Sequence, residues 1–116
     1  MKKLLITGGF IGMLWAFSCA GDSEESLFDL PDCSTPVSLS SEIMPLLQSN
    51  CAIEGCHTAG TGLPDFSLKG NVLEYASEVK RRTAEGSMPP PYSGIELSRE
   101  EIMMISCWVD QGTLNN

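Results

Sequence analysis

Asn50-Cys51-Ala52-Ile53-Glu54-Gly55-Cys56-His57 gathers much of the reactive chemistry of this 116-residue chain into one short segment. It holds two of the five cysteines and the single histidine. Two chemistries follow from residue types alone. Cys51 and Cys56 can oxidise to a disulfide, leaving His57 as a solvent-exposed neighbour. Thiolate and imidazole are also the usual ligands of zinc, although one histidine is all this chain can offer.

Outward from this segment, helical patterning predominates and the expected fold class is all-α. A first helix is expected from Ser40 or Ser41 as N-cap, through Glu42 to Gln48 and on to Cys51. Pro45 fits there because backbone N–H groups in a first turn have no helical partner. A second helix is expected after Asn71, with Val72, Tyr75, Ala76 and Val79 on one apolar stripe. It would end in Lys80-Arg81-Arg82, favourable against the helix dipole, and stop at Gly86. The third helix is the clearest. Ser98-Arg99-Glu100-Glu101 forms a capping box, Leu97 and Ile102 a hydrophobic staple, and Ile102, Ile105 and Val109 a face beside Trp108, before Gly112. No internal repeat and no strand alternation is visible. The loops from His57 to Lys69 and from Gly86 to Leu97 are rich in Gly, Pro and Ser. Three short helices with long loops bury little apolar surface, so reinforcement by a disulfide, a metal or a cofactor is expected.

The first twenty residues carry two lysines and then an uncharged apolar run, short for a membrane span. Ala16-Phe17-Ser18-Cys19 resembles a bacterial lipoprotein signal, with Ala16 where that family usually has leucine. The resemblance implies cleavage before Cys19, lipidation of Cys19, and an exported domain anchored to a membrane at its periplasmic face or at the cell surface. The expected organisation is a signal peptide at 1–18, a lipidated cysteine and acidic tether at 19–39, and a folded domain at 40–116. Residues 20–32 hold five acids and no base. They read as a solvated spacer, and an acid-rich stretch in this place also resembles a surface-export signal of some lipoproteins. Loss of Lys2 and Lys3 takes the formal charge from −8 to −10. Nucleic acid is therefore not an expected partner, since phosphate binding needs a cationic face; a basic protein surface is. Export also implies oxidised cysteines. With Cys19 lipidated and Cys51 and Cys56 beside His57, a disulfide between Cys33 and Cys107 is the simplest completion.

Gly86-Ser87-Met88-Pro89-Pro90-Pro91 places a thioether sulfur in a proline-stiffened loop, 31 residues after His57. Cys51-(four residues)-Cys56-His57 resembles the haem attachment site of c-type cytochromes, with four residues between the cysteines instead of the usual two. The order helix, CxxxxCH, loop, helix, Met-Pro loop and Trp-containing helix makes residues 40–112 similar to a small class I cytochrome c domain. That resemblance implies a three-helix fold wrapped around a covalently attached haem c. It implies thioethers from Cys51 and Cys56, proximal ligation of iron by His57, distal ligation by Met88, and a Pro64 carbonyl accepting from the His57 ring. Gly55 would relieve crowding where the backbone crosses the ring edge. The implied function is a membrane-tethered electron carrier, not an enzyme by itself, passing single electrons between exported redox partners. Met44, Met103 and Met104 compete with Met88 as ligands. Three readings stay open: the cytochrome; a non-haem, disulfide-stabilised interaction module or accessory subunit; and a five-coordinate haem site without Met88.

Overall fold

The computed structural model describes residues 32–116. The signal at 1–18, Cys19 and the tether as far as residue 31 lie outside the described residues. The described part is all-α, with helices α1 (Met44–Asn50), α2 (Lys69–Glu74), α3 (Ala76–Ala84) and α4 (Arg99–Asp110) and, among the described residues, no strand. A π-helical turn, Leu39–Ile43, leads into α1, and a single 3-10 turn, Pro91–Ser93, lies between α3 and α4.

The first helical segment begins earlier than Ser40. Ser38 is the cap: its Oγ accepts from the Ser41 N–H at 3.2 Å, and its own N–H donates to Glu42 Oε2 at 2.6 Å. The wide turn that follows lets the Met44 N–H reach the Leu39 carbonyl. Pro45 then enters at the start of α1, directly after this wide turn.

The expected second helix is two. Tyr75, at φ −97° and ψ 12°, separates α2 from α3. Val72, Ala76 and Val79 are buried as the stripe requires, whereas Tyr75 is exposed. Asn71 is not a cap. It lies within α2, and its Nδ2 donates to the Asp65 carbonyl at 2.9 Å, tying the helix to the preceding loop.

Local signals are strongest in α4, and there the expected cap is present. Ser98 Oγ accepts from the Glu101 N–H at 3.1 Å, and the Ser98 N–H donates to Glu101 Oε2 at 2.8 Å. Gly112 follows the helix at φ +99°, a left-handed conformation that carries the chain into a Thr113 N–H to Trp108 carbonyl bond of 3.0 Å. Leu39, Ile43, Leu47, Val72, Ile105 and Trp108 are fully buried in one core. Trp108 Nε1 donates to the Leu114 carbonyl at 2.9 Å, so the buried indole has its hydrogen bond. The chain thus makes more of its own interior than its sparse aromatics suggest.

The folded unit also starts before residue 40. Cys33 and Cys107 are disulfide-bonded, with Cα atoms 5.1 Å apart. Val37 and Leu39 are buried. The Gln111 side chain accepts from the Val37 N–H at 2.9 Å and donates to the Cys33 and Thr35 carbonyls at 3.1 and 2.8 Å. Asn116 Oδ1 accepts from the Leu39 N–H at 2.8 Å, and the Asn116 carbonyl accepts from the Ser40 N–H at 2.9 Å. Residues 33–40, read from sequence as the end of a tether, are therefore clasped onto the C-terminal segment.

Candidate functional site

Cys51 caps the C-terminal end of α1, its N–H bonded to the Leu47 carbonyl. The chain then folds back on itself. The Cys56 N–H donates to the Ile53 carbonyl and the His57 N–H to the Cys51 carbonyl, both at 3.0 Å. Gly55 lies between them at φ +79°, and a Cβ there would meet no atom within 4 Å. The left-handed backbone by itself requires glycine at this position.

His57 is fixed by the loop that follows. Its Nδ1 lies 3.0 Å from the Pro64 carbonyl oxygen. A carbonyl can only accept, so Nδ1 carries the proton, and in the neutral ring Nε2 is left with its lone pair. The Phe66 N–H closes the loop onto the His57 carbonyl at 3.0 Å. The Phe66 ring lies against the imidazole, centroids 4.3 Å apart and planes 13° from parallel. Asp65 Oδ1 steadies the turn by accepting from the Ser67 N–H and hydroxyl, which holds its carboxyl below the usual range.

Cys51 and Cys56 are free, half-buried thiols. Burial, and secondarily the neighbouring Cys56 sulfur, pushes the Cys51 thiol up to about 11. It is therefore neutral at physiological pH and not poised as a thiolate nucleophile.

Met88 comes from the other side of the sequence. The chain leaving α3 turns so that the Ser87 and Met88 N–H groups both donate to the Arg82 carbonyl, at 3.0 and 3.2 Å. The three prolines follow, the Met88–Pro89 bond being cis.

These elements enclose a cavity of about 620 Å³, within the size range of cofactor and ligand sites. Cys51, Cys56, His57, Pro64 and Met88 all line it. Leu63, Phe66, Val79 and Ile95 supply apolar wall, and the exposed Glu78, Arg82 and Tyr92 supply its polar margin. Among the described residues Met88 is the methionine on this wall. Met44 is buried in the core, and Met103 and Met104 pack against that core from α4. Trp108 is likewise a core residue and does not line the cavity.

No protein-family model, curated protein or solved structure matches this chain.

Among the described residues, no three of His, Cys, Asp and Glu are gathered as a metal-holding group, which is what a zinc site would need. None of the described helices is long and apolar enough to cross a membrane. The basic cluster at the end of α3 is occupied by neighbours. Arg81 pairs with Glu78 at 2.8 Å and Glu85 at 2.9 Å, Arg82 pairs with Glu78 at 3.1 Å, and Lys80 pairs with Asp110. The two arginines hold the Glu78 carboxyl below its ordinary range. Sequence reading passed over Phe66 and Tyr75 as site residues. Phe66 stands nine positions beyond His57 in a loop with no periodicity, so no local signal marks it.

Proposed function

We propose that this protein is a membrane-tethered, monohaem c-type cytochrome that passes single electrons between exported redox partners. The observation that carries the reading is one cavity shared by two free thiols, an imidazole with a free Nε2 and a thioether contributed 31 residues later. The donor set fits an iron porphyrin. Cys51 and Cys56 suit two thioether links, His57 and Met88 suit nitrogen and sulfur ligation of iron, and the wall between them is mainly aliphatic and aromatic. When bound, haem c supplies a one-electron ferric/ferrous couple. The chain's own residues bind it, exclude water from it and orient its ligands. Pro64 holds the His57 tautomer, and such outer partners typically tune a metal centre. With both ligand roles assigned to side chains, the protein acts as a carrier and not as an enzyme by itself. A formal charge of −10 after loss of Lys2 and Lys3 favours redox partners with a basic face, docking weakly and with salt sensitivity. Anchoring through lipid on Cys19 completes the proposal and keeps the domain at the exported face of a bacterial membrane.

The test is the full-length protein expressed with haem-attachment machinery. The reading expects the porphyrin mass increment to survive denaturation, a sharp reduced alpha band, and a sulfur-to-iron band that disappears in Met88→Ala. Absence of covalent haem in protein from the native host overturns it in favour of a disulfide module. Covalent haem without the sulfur band removes Met88 from the ligand set.

A further inference from the structure

We infer that Phe66, backed by Tyr75, is a positioning residue that fixes the plane of the His57 imidazole. Rotation about the last bond of a histidine side chain is broad and roughly two-fold. The Pro64 carbonyl selects which ring edge faces the loop, but a single N–H···O contact still lets the ring rock about the bond axis. A second contact on the ring face removes that freedom. Phe66 supplies it, parallel to within 13° at a centroid distance of 4.3 Å. Phe66 is itself held: its side chain is buried, and its N–H is bonded to the carbonyl of His57, the residue it stacks on. Tyr75 meets it as well, at 6.5 Å with planes 59° apart. Tyr75 occupies the break between α2 and α3, which gives that interruption a role the helical pattern alone does not explain. Edge and face contacts together set the direction of the free Nε2 before any ligand arrives, the arrangement expected of a preorganised metal ligand.

The ring geometry is independent of the cofactor; its value as iron-ligand positioning rests on the cytochrome reading. The two are tested separately. His57 is the single histidine, so its ring signals in long-range ¹H–¹⁵N spectra are unambiguous. In the full-length chain without cofactor, at a pH where the ring is neutral, we expect one Nδ1-protonated tautomer. Its carbon-bound ring protons should be shifted upfield by the Phe66 ring. Phe66→Leu should abolish the upfield shift while the Pro64 carbonyl keeps the Nδ1-protonated tautomer, and Phe66→Tyr should preserve both features. Wild-type ring protons at unstructured-peptide positions would overturn the inference whether or not the leucine variant folds. So would a folded Phe66→Leu protein with wild-type His57 signals. In the haem-loaded ferric protein, Phe66→Leu should redistribute the haem-methyl hyperfine shifts, which report the ligand plane, and Phe66→Tyr should not. An unchanged pattern in Phe66→Leu overturns the positioning role. Failure to incorporate haem at all refutes the cytochrome reading, and the ring signals of the unloaded protein still decide the inference.

Discussion

Substituting Cys33 by serine should destabilise the folded domain by about 4 kcal/mol, the value the chain-entropy relation gives for the observed separation of 74 residues. The variant is a clean one. Position 33 is exposed, so serine is solvated there, and the Cys107 thiol left behind is a small hydrophobe in a fully buried site. The disulfide acts mainly on the unfolded ensemble, whereas the Gln111 clasp on the same segment acts on the folded state. Gln111 makes three hydrogen bonds, to Val37, Cys33 and Thr35. Net values near 1 kcal/mol each place Gln111→Ala at roughly 1–3 kcal/mol. Urea unfolding followed by tryptophan fluorescence separates them, read in a Trp15→Phe background so that Trp108 is the sole reporter. With m near 1–3 kcal/mol per molar, the Cys33→Ser midpoint should fall by roughly 1.3–4 M, and the Gln111→Ala midpoint by less at the same m. A Cys33→Ser midpoint equal to that of wild type, or a larger loss in Gln111→Ala, would refute the loop-closure reasoning.

Three further outcomes are expected. Ser98→Ala removes one arm of the α4 capping box and should cost about 1 kcal/mol by the same unfolding assay, with Ser98→Asp recovering most of it. Trp108→Phe keeps an aromatic side chain but removes the indole's second ring and its N–H, leaving a void in the core and the Leu114 carbonyl without its donor; it should cost about 2–4 kcal/mol and weaken amide protection at the C-terminal end of α4. In the unloaded protein, stability should fall as pH rises from 9 towards 11. The Cys51 thiol is raised from 9.0 to about 11 on folding, so the folded chain retains a proton that the unfolded chain releases in this interval. That contribution is complete below pH 9, and Cys51→Ser should flatten the slope in alkaline unfolding curves.

The parts of this molecule that were legible in residue order are those set by short-range chemistry. The Ser98 box, the Val72, Ala76 and Val79 stripe and the stop at Gly112 each involve residues a few positions apart, where 3.6-residue geometry and cap hydrogen bonds dominate. The kinds of group in the candidate site were legible too, because thiol, imidazole and thioether chemistry is inherent in Cys51, Cys56, His57 and Met88. Where local rules failed, a competing partner had intervened. Asn71 turned from capping its helix to holding the Asp65 carbonyl, and Ser38 displaced Ser40 and Ser41 through a wide turn.

Residue order by contrast holds no record of Gln111 and Asn116 gripping a segment more than 70 positions away, or of Tyr75 interrupting a helix to stand beside Phe66. Nor does any periodicity announce that Met88 and His57 share a wall. Such contacts arise where helices and loops close on one another in space, and the hydrogen bonds and ring contacts that stabilise them depend on distance and angle rather than on separation along the chain. Composition named the chemistry, and the folded packing brought it to one cavity.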